Sequence, residues 1–165
     1  MVPRSATARV SGRVIGIYTA SARGELPRAV GAAAALAGVG LAGDRYAMGV
    51  GTWSDWPGTG RAVTLIATEV LDALPVSCRL SAAEVRRNLL TRGVDLNALV
   101  GREFRIGGVR LLGQRLCEPC RHLEALTRPG VAAQLLGRGG LRADVLASGL
   151  IRCGDALEIL PLPAA

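Results

Sequence analysis

The sequence predicts a mainly β protein with short helices, closed into a barrel. Three observations carry this prediction. Short runs rich in Val, Ile and Leu recur between turn signals, while the helical periodicities are few and brief. The 22 glycines are scattered among apolar runs, which indicates many tight turns and not disorder. Half of the 165 residues are hydrophobic but only five are aromatic, so a sizeable core must be built from Leu, Val and Ala. Many short strands with a few short helices suit a β-rich barrel spanning residues 1–165 as one domain.

Taken in order, residues 1–7 read as a loose end. Val10 to Thr19 reads as a strand whose glycines suggest bulges. The Ala-rich run Pro27 to Leu36 suits either a short helix or the connection before a strand. Gly38 to Asp44 is a glycine-rich turn, and it lacks the third glycine and the βαβ setting of a dinucleotide fingerprint. Arg45 to Gly60 is a long polar and aromatic loop, a length that usually signals function. Ala62 to Ile66 is a buried-type strand and Ala67 to Leu74 a short helix. The chain turns through Pro75 to Arg79. Ser81 and Glu84 have the spacing of a capping box, which predicts a helix to about Leu89. Asp95 caps a helical turn to Val100. Phe104–Ile106 and Val109–Gly113 form a hairpin through Gly107-Gly108. Leu123–Thr127 and Val131–Leu136 are short helices split by Pro129-Gly130. Gly137 to Arg142 is a loop, and Ala143–Leu146 and Ala156–Leu160 are strands.

The net charge is +7 and every one of the 20 basic residues is Arg. With no lysine there is no covalent Schiff base to pyridoxal phosphate and no P-loop lysine. The excess charge suits an anionic partner, and guanidinium forks suit phosphate. Nucleic acid also suits so basic a chain, but base stacking needs an aromatic platform, and the aromatics are few and mostly clustered at Tyr46, Trp53 and Trp56. These tryptophans read either as a substrate mouth or as lid packing. No apolar run reaches the roughly 18 residues of a membrane helix, and the N-terminus has no apolar signal core, so the expected setting is cytoplasmic.

Four cysteines in that setting suit catalysis or metal binding better than a disulfide framework. The stretch Arg115 to His122 holds two of them, Cys117 and Cys120, and the only histidine. It follows a strand and precedes an apolar helical run, so the pair falls on a strand-to-helix loop. Arg115 and Arg121 beside a helix start favour thiolate, which is a nucleophile, a soft-metal ligand or a sulfur carrier. A buried structural cysteine is the competing reading of the spacing alone. Cys78 and Cys153, with no charged loop companions, read as core or turn residues. His122 reads equally as a backbone hydrogen-bonding residue and as a proton donor beside Cys120. Thioredoxin-like chemistry is disfavoured by the missing βαβ pattern. A structural zinc is disfavoured because Cys117, Cys120 and His122 crowd together without a fourth ligand.

Several ordered blocks resemble the MOSC domain family (molybdenum cofactor sulfurase C-terminal domain) over about residues 8–160. They are Gly40-Leu-Ala-Gly-Asp44-Arg45, Arg61-Ala-Val-Thr-Leu-Ile66, Arg86-Arg-Asn88-Leu-Leu-Thr91-Arg-Gly93, Asn97-Ala-Leu-Val-Gly101, Leu116-Cys-Glu-Pro-Cys120 and Arg138-Gly-Gly-Leu-Arg142. The resemblance implies a β-barrel with helices at its mouth. It also implies a site for molybdenum cofactor (molybdopterin), with a cysteine as ligand to molybdenum. On that reading Cys120 is the metal ligand and catalytic thiol, Cys117 a relay or resolving thiol, and His122 a proton donor. Arg45, Arg87, Asn88, Thr91 and Arg142 hold the cofactor. The activity implied is reduction of N-hydroxylated small molecules with electrons from a donor protein. The alternative is a cysteine-persulfide carrier that receives sulfur from a sulfurtransferase.

Overall fold

The computed structural model describes residues 9–55 and 58–163. Seven strands close a barrel: β1 (Arg9–Thr19), β5 (Val63–Ala67), β6 (Leu89–Arg92), β7 (Glu103–Ile106), β8 (Val109–Leu116), β9 (Leu141–Ala147) and β11 (Ala156–Ile159). Their order around the barrel is β1-β11-β7-β8-β9-β5-β6, returning to β1. All pairs are antiparallel except β5 with β6.

Strand β1 makes closure possible. It pairs β11 along its first half and β6 along its second, and at its end it carries the short strand β2 (Arg28–Val30). The register slips between Val10 and Gly12 and again between Val14 and Gly16. Bulges of this kind coil a strand sharply enough to turn a corner. Gly12 is needed there, because a Cβ would lie 2.6 Å from the Arg92 carbonyl oxygen.

Alternation along the strands fills the barrel with Val14, Ile17, Val63, Leu65, Phe104, Ile106, Leu111, Leu141, Ala143 and Leu157. A second cluster covers the outer face of β5. There Ile66 meets Leu71, Leu74, Val85, Leu123, Val131 and Leu135 from the helical segments α1 (Thr68–Asp72), α2 (Arg121–Leu126) and α3 (Val131–Leu135) and the chain near them. Strand β5 is therefore buried along its whole length, as its uninterrupted apolar run required. A small separate sheet of β10 (Gly149–Arg152), β3 (Ala32–Leu36) and β4 (Gly40–Leu41) packs Ala33, Ala35, Leu41 and Ile151 onto the same core.

Three expectations are corrected. The Ala-rich run forms no helix: it is β2 and β3, because Ala33 and Ala35 alternate into the core while Ala32, Ala34 and Leu36 face out. The capping box does form, with the Ser81 N–H donating to Glu84 Oε2 at 2.7 Å and the Glu84 N–H to Ser81 Oγ at 3.2 Å. It closes only a turn, since Arg86 takes φ 61° and the chain extends into β6. Local capping is overridden there by the pairing of Leu89 and Leu90 with β1 and β5. Finally, Gly149–Arg152, between the expected strands Ala143–Leu146 and Ala156–Leu160, is itself a strand held by its register with β3.

Candidate functional site

Where β8 ends, the chain leaves the barrel through Cys117–Cys120 and enters α2. The loop is pinned by its neighbour Gly139-Gly140. The Cys117 N–H donates to the Gly140 carbonyl at 2.7 Å, and Arg87 Nε donates to the Gly139 carbonyl at 2.9 Å. A Cβ on Gly139 would lie 2.4 Å from the Cys117 carbonyl oxygen, so only glycine lets these two strands of chain meet.

The cleft that results runs from this loop over the outward faces of β5 and β9. It is lined by Cys117, Glu118, Cys120, His122 and Leu123 from the loop and α2, by Thr64 and Arg142 from the wall, by Arg86 and Arg87, and by Arg45, Tyr46, Thr52 and Trp53 opposite. It is narrow, with a volume of about 50 Å³. A hollow of about 400 Å³ lies elsewhere, between Val70, Val94, Leu96 and Arg138, but it holds neither a thiol nor an imidazole. The chemistry-bearing side chains are in the narrow cleft.

Each arginine is placed by a different device. Arg45 is buried and its Nη1 donates to Asp44 Oδ1 at 3.3 Å, with its guanidinium 5.0 Å from the Tyr46 ring centre. Asp44, fully buried, also accepts from the backbone N–H groups of Ala20 and Tyr46. Arg87 is 9% exposed and spends its hydrogen bonds on the carbonyls of Gly139 and Val85, with no carboxylate partner among the described residues. Arg86 is half-buried. Burial, and then the neighbouring Arg45, hold its guanidinium below the usual arginine range, Arg87 adds to the effect, and Tyr46 and Asp44 oppose it. Arg142 alternates outward between Leu141 and Ala143. Four guanidiniums thus surround a cleft whose carboxylates are the buried Asp44 behind Arg45 and the exposed Glu118 at the rim. The Glu118 Oε2 accepts from the Gly137 N–H at 3.3 Å.

The thiols are free, as are those of Cys78 and Cys153. Cys117 is 1% exposed, while Cys120 is half-buried at the N-cap of α2. His122 Nε2 is buried with no hydrogen-bond partner, an orphaned polar atom at the cleft. Among the described residues no three His, Cys, Asp or Glu side chains gather as a metal-binding set.

Of the residues singled out in the sequence, Cys117, Cys120, His122, Arg45, Arg87 and Arg142 come together at the cleft. Asn88 and Thr91 do not line it. Asn88 Oδ1 accepts from the Thr64 N–H and hydroxyl, and its Nδ2 donates to the Tyr18 carbonyl. The Thr91 hydroxyl donates to the Ile66 carbonyl at 3.4 Å. Both residues clasp β6 to its neighbours. Trp53 stands at the cleft, whereas Trp56 falls outside the described residues. Sequence reading missed Arg86, Thr64 and Thr52 as lining residues. Arg86 had a signal, since it adjoins Arg87 in one basic block; the others show only once β5 and the long loop are placed. Arg115 and Arg121 are exposed, and the guanidiniums that line the cleft with the thiols come from distant segments.

The fold and site define a β-barrel protein with a thiol-bearing, arginine-rich cleft on its helical side. The sequence pattern of the MOSC domain family matches residues 48–158, more than half of the chain, and the chain belongs to that family. The fold is similar to that of the YuaD protein from Bacillus subtilis, with a TM-score of 0.76 at 18% identity over 93% of this chain and 98% of that one. YiiM from Geobacillus stearothermophilus gives a TM-score of 0.70 at 14% identity over 91% and 75% of the two chains. YiiM from Escherichia coli gives 0.66 at 20% identity over 93% and 72%. Comparison with curated proteins returns no match.

Proposed function

We propose that this MOSC domain binds molybdenum cofactor in the cleft, with Cys120 as thiolate ligand to the metal, and reduces N-hydroxylated small molecules. The observation that carries the reading is the convergence of two thiols and four guanidiniums on one cleft with so little acidic compensation. The donor set fits the group. A soft thiolate suits molybdenum, and guanidinium forks suit the pterin's terminal phosphate. The guanidiniums of Arg86 and Arg142 make no hydrogen bond to a described residue, and that of Arg87 is held in place by backbone carbonyls alone. Burial, and then the neighbouring Arg45, hold Arg86 below its usual range, and an oxyanion beside it would offset the share that comes from the neighbouring cations. The cleft is smaller than the several hundred Å³ that a ligand of this size occupies, so it must widen to admit it.

When bound, the cofactor supplies a metal centre able to exchange two electrons. This chain's residues supply the rest. Cys120, the more exposed thiol, reaches the cleft, while Cys117 is packed beneath it. Reducing an N–OH group to N–H consumes two electrons and two protons and releases water. His122, whose Nε2 has no hydrogen-bond partner among the described residues, delivers one of these protons to the departing hydroxyl oxygen, and the other comes from solvent. The electrons come from a donor protein, because Cys-x-x-C alone cannot hold a four-cysteine iron–sulfur cluster.

The second reading, a persulfide carrier, rests on the same accessible thiol: the arginines would stabilise an anionic persulfide on Cys120 received from a sulfurtransferase. One pair of variants tests both. Cys120→Ser abolishes reduction of an N-hydroxylated base, or persulfide loading, with the fold intact, and Cys117→Ser leaves a measurable remainder. The reverse pattern moves the role to Cys117.

A further inference from the structure

The hollow of about 400 Å³ has the size and lining of a small-molecule site. Ala67, Val94 and Leu96 line it as buried apolar residues and Val70 as a half-buried one. Its charged groups leave acceptors unused. Glu69 Oε1 accepts from the Gly93 N–H at 2.7 Å and Asp95 Oδ1 from the Asn97 N–H at 3.0 Å. The second oxygen of each carboxylate has no hydrogen-bond partner among the described residues, and neither carboxylate forms an ion pair with them. The guanidinium in the lining, Arg138, is turned to its own helical segment: its Nε donates to the Gln134 carbonyl at 2.7 Å and its Nη2 to Gln134 Oε1 at 3.5 Å. In a chain of net charge +7 this is a local excess of carboxylate over apolar walls, which suits a small organic cation and opposes an anion.

We propose that this hollow is an effector site for a small primary amine with an apolar body, and that its occupant holds the thiol loop closed. The three donors of an ammonium match three unused acceptors in the lining, Glu69 Oε2, Asp95 Oδ2 and Asn97 Oδ1. The link to the thiols is residues 137–140, which the hollow and the thiol loop share. Arg138 and Gly140 line the hollow, and Asn97 Nδ2 donates to the Gly137 carbonyl at 2.9 Å. The same segment receives the Cys117 N–H on the Gly140 carbonyl at 2.7 Å and gives the Gly137 N–H to Glu118 Oε2 at 3.3 Å. Gly140 is wedged against β5, where a Cβ would lie 2.1 Å from the Leu65 carbonyl oxygen. Cys120 is half-buried, so a reagent reaches it fully only when the loop swings away from this segment. A ligand that binds the closed arrangement alone lowers the open fraction by mass action. Neither step depends on a molybdenum cofactor in the cleft.

Two probes that share a phenyl body, phenethylamine and hydrocinnamate, test the site on the full chain. Isotope-labelled protein is titrated with each, following the backbone amide resonances of Gly93, Asp95, Asn97 and Gly140. Phenethylamine should shift them and hydrocinnamate should not. Glu69→Gln and Asp95→Asn each keep the acceptor for the backbone N–H and remove the charge, so each should weaken phenethylamine binding about 10-fold. Either variant serves if the other folds poorly. In the same samples the alkylation rates of Cys120 and of the exposed Cys153 are followed by mass spectrometry. At about ten times its Kd the amine should slow Cys120 by up to about 10-fold and leave Cys153 unchanged. Equal binding of the amine and the acid, no shift at these amides, or both charge-removing variants binding like wild type would overturn the site. Amine binding that leaves the Cys120 rate unchanged would overturn its effector role.

Discussion

Replacing Arg86 with glycine should make the unliganded protein more stable and its anion binding weaker. Arg86 sits at φ 61°, where an L-residue with a Cβ costs about 1–2 kcal/mol and glycine costs almost nothing. The substitution also removes a half-buried cation that faces Arg45 and Arg87. Against this, packing of the arginine stem is lost and the unfolded chain gains freedom, which together offset part of the gain. The net expectation is about 1 kcal/mol of stabilisation, or roughly 2–4 °C in Tm for a chain of this size. Loss of a charge-assisted hydrogen bond should weaken phosphate binding by about 1.5–3 kcal/mol. Thermal unfolding in phosphate-free buffer, repeated across a phosphate titration, reads both effects in one experiment. Arg86→Ala keeps the backbone strain and loses the charge, so it should bind as weakly as the glycine variant without its rise in Tm. A glycine variant less stable than wild type, or one whose Tm rises with phosphate as steeply as wild type, would refute the view that this residue is strained in order to present its charge.

Three further outcomes follow from the surroundings of the cleft. Asn88→Ala should cost about 2–4 kcal/mol in urea unfolding, because the buried Thr64 N–H and Tyr18 carbonyl lose their partner; a surviving population should still bind phosphate, since Asn88 does not line the cleft. Gly139→Ala drives a Cβ against the Cys117 carbonyl and should destabilise by about 1–3 kcal/mol and change the alkylation rate of Cys120, whereas Gly31→Ala, with open space around its Cβ, should be nearly neutral. The capping hydrogen bonds from Ser81, together with Arg128, hold Glu84 below its ordinary value, so its contribution is full above about pH 4.3 and fades as acid protonates the folded carboxylate. Glu84→Gln should therefore lose about 0.5–1 kcal/mol at neutral pH and nothing once pH falls below the folded value, a difference that stability curves against pH would show.

The barrel was legible in the sequence because its signals are local. The β1 run with its interrupting glycines, the uninterrupted apolar β5 and the Gly107-Gly108 hairpin each announce themselves within ten residues or so. The Ala-rich strands β2 and β3 were ambiguous because alanine prefers helix and carries little strand preference; only their register with β1, β4 and β10 decides them. The same reason explains the missing helix after Ser81, where a good cap lost to sheet pairing. At the site, Cys117, Cys120 and His122 could be grouped because they share one loop. Arg45, Arg87 and Arg142 could be associated with them only through the family resemblance, since no spacing rule joins segments this far apart. Asn88 shows the limit of that route: it stands in the same block as Arg87, yet its side chain faces the barrel wall and holds Thr64.

Metal and pterin analysis of protein purified from a host with active cofactor synthesis tests the central claim most directly. The account predicts molybdenum and pterin in equal amounts in the wild type, and a parallel fall of both in Arg142→Ala. Wild-type protein that carries neither, from cells in which another molybdenum enzyme is fully loaded, would contradict it.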